Sequence, residues 1–364
     1  MKLDYINQME PSFGIEEQSA MSEYLSSGPW ITEFKKTAEF ESEIAKYTGA
    51  KNCIVTNNGT ISLTLAAIAC GIGPGNEVIV PNYTMIATPN SVKMIGADPI
   101  FVDVEPDSLC LDIELVKKAL NTKTKAIILV NANGRYPKVG IKAFEDLCKE
   151  NGLFLIEDAA QALGSYYPDG RHMGTVGHIG SFSFSAPKII STGQGGALIT
   201  NDDQITDKIR KLKDFGRTGG GNDIHDVIGY NFKFTDVQAV IGLEQMKKLD
   251  NRIDRKREIA LLYKDYLRNI KEVKLFNQDL ENTVPWFYDG IFEKRNSLVD
   301  YLKSKNIETR VMYSSISHQK AYNLYGDYPV SEMVGRQGLW LPSSITLSND
   351  QINYICSSIK SFYK

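Results

Sequence analysis

Between residues 50 and 215, short apolar runs alternate with helical patterns, and this alternation limits the possible folds more than any other feature of the chain. "NCIVT" (52–56), "EVIVP" (77–81), "PIFVDV" (99–104), "KAIILV" (125–130), "LFLIED" (153–158), "SFSFS" (181–185) and "GALIT" (196–200) read as buried strands. "TISLTLAAIAC" (60–70), "DIELVKKAL" (112–120) and "KAFEDLCKE" (142–150) carry helical spacing between them. A strand that is apolar throughout is covered on both faces. Alternated with helices, it predicts an α/β fold with a large, mostly parallel sheet. Two amphipathic stretches, 16–26 and 33–48, precede the sheet.

The 364 residues leave room for a second, smaller unit. A long helical pattern over 235–258 ends the regular alternation, and shorter strand-like runs such as "WFYDGIF" (286–292) follow. The expected division is a large domain over 1–250, including the N-terminal helices, and a small C-terminal α/β domain over 251–364. The glycine triplet Gly219–Gly221 marks a loop expected to be mobile.

Charge excludes some functions. A net charge of −3 gives no field to attract nucleic acid or anionic membrane. The stretch 247–258 mixes both signs at helical spacing and reads as a solvated face. No apolar run approaches the roughly 20 residues of a membrane span, and "MKLDYINQMEPSFG" lacks the apolar centre of a secretory signal. The five scattered cysteines show no C-x-x-C spacing and suit a reducing compartment. The expectation is a cytoplasmic protein with no nucleic-acid or membrane partner. His172, His178, His225 and His318 lack ligand spacing, so no metal is expected.

In a parallel sheet, ligands bind beyond the carboxyl ends of the strands, and chemically capable residues fall there. After the first strand, "TNNGTISL" places Gly59 and Thr60 at a helix start, where free N–H groups suit a phosphate; a simple side-chain cap is the plain alternative. "LFLIEDAAQALG" ends an apolar strand with Glu157 and Asp158, an expensive place for a carboxylate unless a cation pairs with it. The alternative is a helix cap, with Gln161 completing a capping box. Lys188 follows "SFSFSAP" and precedes a glycine-rich turn. An amine partly removed from water becomes nucleophilic and can condense with an aldehyde; the alternative is a solvated loop lysine. A phosphate site, a carboxylate for a protonated ring nitrogen and an amine for an aldehyde together describe pyridoxal 5′-phosphate (PLP).

The pair "EDAAQALG" and "SFSFxxxK…TGxGG", in this order, resembles the DegT/DnrJ/EryC1/StrS family of sugar aminotransferases, over about residues 26–352. The resemblance implies the PLP-dependent fold type I, like aspartate aminotransferase, in a homodimer with shared active sites. It implies that Lys188 holds the cofactor, that Asp158 faces its ring nitrogen and that Gln161 lies by its ring hydroxyl. Ser183 and the amides of Gly59 and Thr60 would take the phosphate. "GYNFKFTDVQAVIG" matches a G-x-N-x-R segment, so Asn231 would reach the phosphate of the other subunit, with Lys233 where the family has arginine.

There are other departures. Met85 in "PNYTMIAT" stands where an aromatic usually covers the ring, so thioether packing would replace stacking. Asn131 replaces a histidine, and "TGQGG" replaces the commoner "TGEGG". His318 in "SISHQKAY" resembles a segment near the substrate, or is structural; Trp30 lines the sugar entrance or fills a core.

The implied reaction moves an amino group from L-glutamate, through the pyridoxamine 5′-phosphate form of the cofactor, to C4 of a nucleotide-linked 4-keto-6-deoxysugar. GDP-4-keto-6-deoxymannose is the expected acceptor, within O-antigen sugar supply; UDP- and dTDP-linked sugars remain alternatives. A related dehydratase has histidine in place of the lysine, and a non-enzymatic regulator would need a basic face.

Overall fold

The computed structural model describes residues 5–219 and 223–364, so Gly220 and Gly221 of the glycine triplet lie outside the described residues. The large sheet has seven strands: β1 (Asn52–Thr56), β2 (Glu77–Pro81), β3 (Asp98–Val102), β4 (Thr124–Val130), β5 (Phe154–Asp158), β6 (Ile179–Ser183) and β7 (Gly196–Thr200). Their order is β1-β7-β6-β5-β4-β2-β3, and β7 alone runs antiparallel to its neighbours. The sheet is mixed but mostly parallel, as the alternation predicts.

The side-chain period of two sorts the strands between two apolar clusters, one on each face. In β4, Ile127 and Leu129 join one cluster while Ala126 and Ile128 join the other. Likewise Leu155 and Ile156 of β5 divide between the two faces, as do Ile79 and Val80 of β2. Helix Lys35–Thr48 buries Phe40 and Ile44 on the first face. Helix Gly59–Ala69, apolar nearly all round, lies on the second.

Several boundaries differ from the sequence expectation by a residue or two. The strand expected at 181–185 begins two residues earlier and ends at Ser183, because Ile179 pairs with Ile156 and Ser183 pairs with Gly196, where β7 begins. The pattern over 235–258 forms two helices, Asp236–Lys247 and Leu249–Leu267, joined at Lys248. The Lys248 amine donates to Glu16 and Glu17 at 2.9 and 2.8 Å, tying this joint to the first helix. Nor is 247–258 wholly a solvated face. Arg252 and Lys256 are buried, Arg252 on the carbonyls of Ile189 and Ser12, Lys256 on those of Trp286 and Ser343.

The second sheet comprises β8 (Val273–Leu275), β9 (Tyr288–Phe292), β10 (Arg310–Val311) and β11 (Gly338–Leu341), in the antiparallel order β10-β11-β9-β8. Helices Leu249–Leu267 and Asn349–Tyr363 cover it through a third apolar cluster. Asn133 fastens it to the loop after β4. Its side chain pairs with the Phe287 backbone as a strand would, donating to the carbonyl and accepting from the N–H, each at 2.7 Å. The residue sits at φ 55°, a region that asparagine tolerates better than most. Replacing it with Ala leaves a buried donor and a buried acceptor unpaired. Asn133→Ala is expected to lose at least about 1–3 kcal/mol of stability in urea unfolding. Asn133→Gly, which relieves the backbone but not the lost bonds, should recover only part. A midpoint unchanged in both variants would mean that the fastening carries no stability.

Candidate active site

The period of two decides which side chains meet. Glu157 shares a face with Leu155, whereas Asp158 shares one with Ile156, on the side of helix Gly59–Ala69. Glu157 therefore points into the opposite core. It is fully buried and accepts from the Tyr167 hydroxyl at 2.6 Å and from the amides of Gly174, Val176 and Gly177 at 2.6–2.8 Å. Its lone pairs are used internally. Ser183 lies on the same face of β6 as Ile179, and so beside Asp158.

A cavity of about 500 Å³ opens at the carboxyl ends of β1, β5 and β6, lined by Gly59, Thr60, Met85, Asp158, Gln161, Ser183 and Lys188 among others. The helix start approaches β6 so closely that a Cβ on Gly59 would lie 2.9 Å from Ser183 Cβ, which requires glycine there. Asn58 caps the helix, its side chain accepting from the Ile61 amide at 3.0 Å. The capping alternative therefore holds for Asn58. It still leaves the Gly59 and Thr60 amides without a protein acceptor among the described residues.

Asp158 is buried, and desolvation raises its carboxyl above the usual range. The Thr88 hydroxyl donates to it at 2.7 Å and the Ala160 amide at 3.3 Å, and the Lys188 charge attracts it. No helix follows, so the capping-box reading of Gln161 fails. The Gln161 carbonyl oxygen instead accepts from the Asn133 amide at 2.6 Å. Lys188 as a whole is half-buried, yet its amine end is closed in by protein. Burial pulls it down to about 8, opposed by the Asp158 charge and assisted by that of Arg310. Met85 is half-exposed at the cavity edge, its sulfur accepting from the Ala87 amide at 3.0 Å.

Three expected residues lie outside this cavity. Asn231 is exposed, bridging to Asp214 through the backbone, and Lys233 pairs with the Asp214 carboxylate at 2.7 Å. Trp30 is 66% exposed, so it fills no core. His318 turns to Glu332, 3.4 Å away. Asn131, where the family has histidine, is fully buried and donates to the Tyr167 hydroxyl at 3.0 Å. Sequence reasoning also missed Thr88 and Trp286. Thr88 lies one helical turn beyond Thr84, in the segment already noted for Met85; Trp286 is remote in sequence and carries no local signal.

The donor set suits PLP. A glycine cradle and free amides at a helix start match a phosphate, a buried carboxylate lacking a salt bridge matches a protonated ring nitrogen, and a desolvated amine matches an aldehyde. Among the described residues no cluster of ligands for a metal ion occurs, and no helix is long and apolar enough to cross a membrane.

Residues 11–360 match the DegT/DnrJ/EryC1/StrS aminotransferase family. A GDP-perosamine synthase of Escherichia coli O157:H7 is 37% identical over 99% of each chain. One of Vibrio cholerae is 34% identical over 97% of this chain and 98% of the other. Among solved structures, a DegT DnrJ EryC1 StrS aminotransferase from Brucella abortus aligns with a TM-score of 0.89 at 31% identity, covering 96% of this chain and 95% of that one. The architecture is accordingly that of PLP-dependent fold type I, with its large mixed sheet. With a match spanning nearly its whole length, the chain belongs to the DegT/DnrJ/EryC1/StrS family and is a PLP-dependent sugar aminotransferase.

Proposed function

We propose that the enzyme transfers an amino group from L-glutamate to C4 of GDP-4-keto-6-deoxymannose, giving GDP-perosamine. One observation carries the reading: a desolvated amine, a buried carboxylate and an open helix start line one cavity, in a chain matched end to end by GDP-perosamine synthases. When bound, PLP supplies an aldehyde for amine exchange and a ring that accepts electrons.

Lys188 would hold the cofactor covalently. Once freed, its amine would carry a proton between the donor's α-carbon and the cofactor's C4′. Only the neutral amine can accept that proton, and burial favours it by drawing Lys188 down to about 8. Asp158 would keep the ring nitrogen protonated, held in place by the Thr88 hydroxyl. Gln161 would lie by the ring hydroxyl, Gly59, Thr60 and Ser183 would bind the phosphate, and Met85 would cover the ring. The large PLP-binding unit is taken to run to about residue 250 and the small unit from 251.

Asn231 would complete the site of a partner copy. Its segment adjoins residues 30–37: the Asp236 amide donates to the Thr32 carbonyl, and the Asp236 carboxylate accepts from the amides of Phe34, Lys36 and Thr37. Trp30, Ile31, Phe34 and Ile228 stand exposed on these segments and the loop beside them, Ile228 by 88%. An apolar band of this kind favours a homodimer. Trp30 and His318 are the proposed contacts to the sugar substrate. Five buried free cysteines suit a cytoplasmic location.

Lys188→Ala is expected to fold normally by circular dichroism yet lose at least roughly 10²–10⁴-fold in transamination rate; near-normal turnover would end the assignment. A panel of GDP-, UDP- and dTDP-linked 4-keto-6-deoxysugars with glutamate should show the highest kcat/KM for the GDP sugar. Buried polar groups left unpaired by the wrong base or epimer reject it by orders of magnitude. Higher kcat/KM with a dTDP or UDP sugar would overturn the choice of GDP alone. For the shared site, Asn231→Ala and Lys188→Ala subunits are each expected to be impaired and, once exchanged, to regain activity, because each mixed dimer holds one site with both residues intact. No recovery after verified exchange would refute it.

A further inference from the structure

The Lys188 amine rests over an aromatic plate. Its Nζ lies 4.1 Å from the centroid of the Trp286 ring, a cation–π distance. The plate is fixed on several sides. Its indole N–H donates to the Pro187 carbonyl at 2.7 Å, one residue before the lysine, so ring and lysine backbone are tied together. The ring stacks on Phe287 at 3.9 Å between centroids and meets Trp340 edge-on at 5.6 Å. The Lys256 amine holds the Trp286 carbonyl at 2.7 Å from behind. Trp286 is 4% exposed, so neither ring nor amine contact is a surface accident.

A carboxylate at this position would stabilise the cation by accepting its proton in a hydrogen bond. A ring face attracts the cation but offers no lone pair, so it locates the amine while favouring the proton less strongly than a carboxylate would. An aminotransferase needs this combination, because its lysine is bound to the cofactor in one half of the cycle and free in the other. We propose that Trp286 is a positioning residue whose ring face is the resting place of the Lys188 amine whenever that amine is free of the cofactor. The proposal rests on the reading of Lys188 as the cofactor-binding lysine.

Other charged groups face the same amine. Asp158 attracts it, while Arg310 on β10 repels it. Tyr313 senses both Arg310 and Asp158, and Lys256, pulled by burial down to about 7, lies behind the plate. Substituting the ring removes none of these groups. The face of Trp286 favours the charged form of Lys188, so its loss should lower the pH at which the amine becomes neutral.

Borohydride reduction of the PLP-loaded wild type, with peptide mapping, first tests the parent reading: the pyridoxyl group should lie on Lys188, and its appearance elsewhere overturns that reading alone. Trp286→Leu and Trp286→Phe are then converted with glutamate to the pyridoxamine form, as is the wild type. The pH dependence of Lys188 acylation is followed by mass spectrometry, with exposed Lys46 as reference. The wild-type midpoint is expected below the ordinary range of a lysine amine, because burial lowers it. Trp286→Leu is expected about one and a half pH units lower, the size of a desolvated cation–π contact. Trp286→Phe should fall between, since its ring face is weaker. A change that was only structural would move stability but leave this midpoint alone. Coincident or upward-shifted midpoints in whichever variants fold would overturn the role of Trp286.

Discussion

A carboxylate at the end of a buried strand must find donors or give up its charge, and β5 ends with two such groups in succession. Because neighbouring residues on a strand face opposite ways, Glu157 and Asp158 meet different surroundings. Glu157 enters a core where three amides and a tyrosine hydroxyl satisfy it. Asp158 enters a cavity where a single hydroxyl and one longer amide contact leave it under-bonded and desolvated. The rest of the site follows from that asymmetry: the helix start, Ser183 and Lys188 lie on the face where Asp158 is exposed to a ligand.

Most of the large sheet was legible because its strands are apolar on both faces and so unbroken in sequence. Lys188, Asp158 and Gly59 are legible for a related reason: each lies at or beyond a strand end that can be read locally, and the parallel sheet gathers those ends at one edge. Ser183, the last residue of β6, is marked only by the family resemblance. Gln161 lines the same cavity, but its capping-box alternative fails, because no helix follows and its carbonyl turns to the Asn133 amide. Thr88 and Trp286 depend on contacts across 70 and 99 residues, to Asp158 and Pro187, which no local pattern encodes. Arg252 and Lys256 were misread as solvated because their acceptors are backbone carbonyls from distant loops, and an acceptor of that kind leaves no charge pattern in sequence.

The segment leading into β9 reaches the site, with the Trp286 ring against the Lys188 amine. Asn133 pairs with Phe287, the next residue to Trp286, and its own amide steadies Gln161. Two residues on, the buried Arg135 guanidinium forms a two-pronged ion pair with Asp289 on β9. Breaking such a pair strands a charge, whereas an apolar replacement of both partners need not destabilise. Its contribution is therefore better understood as fixing the register between loop 131–135 and β9 than as net stability. That register sets where Trp286 stands beneath Lys188.

Three lysines removed from solvent show how differently one side chain is used. Lys213 is compensated by Glu33 at 3.0 Å and Glu41 at 3.5 Å, with the Val55 carbonyl as a further acceptor. Lys256 has only carbonyl dipoles for partners, and burial draws it to about 7. Both amines are fully engaged in protein contacts and neither lines the cavity at Asp158. Lys188 alone combines access to that cavity with an environment that leaves its proton easily moved: burial lowers it, Asp158 partly restores it, and the ring beneath accepts no hydrogen bond. A group that must alternately give and take a proton works best when its affinity lies near the working pH. An ion pair like that of Lys213 would defeat this by holding the charge, and full hydration would leave the amine near its ordinary, much higher value. Partial burial between a distant carboxylate and an aromatic face lies between those limits, which is the physical reason for a lysine at this point of the chain.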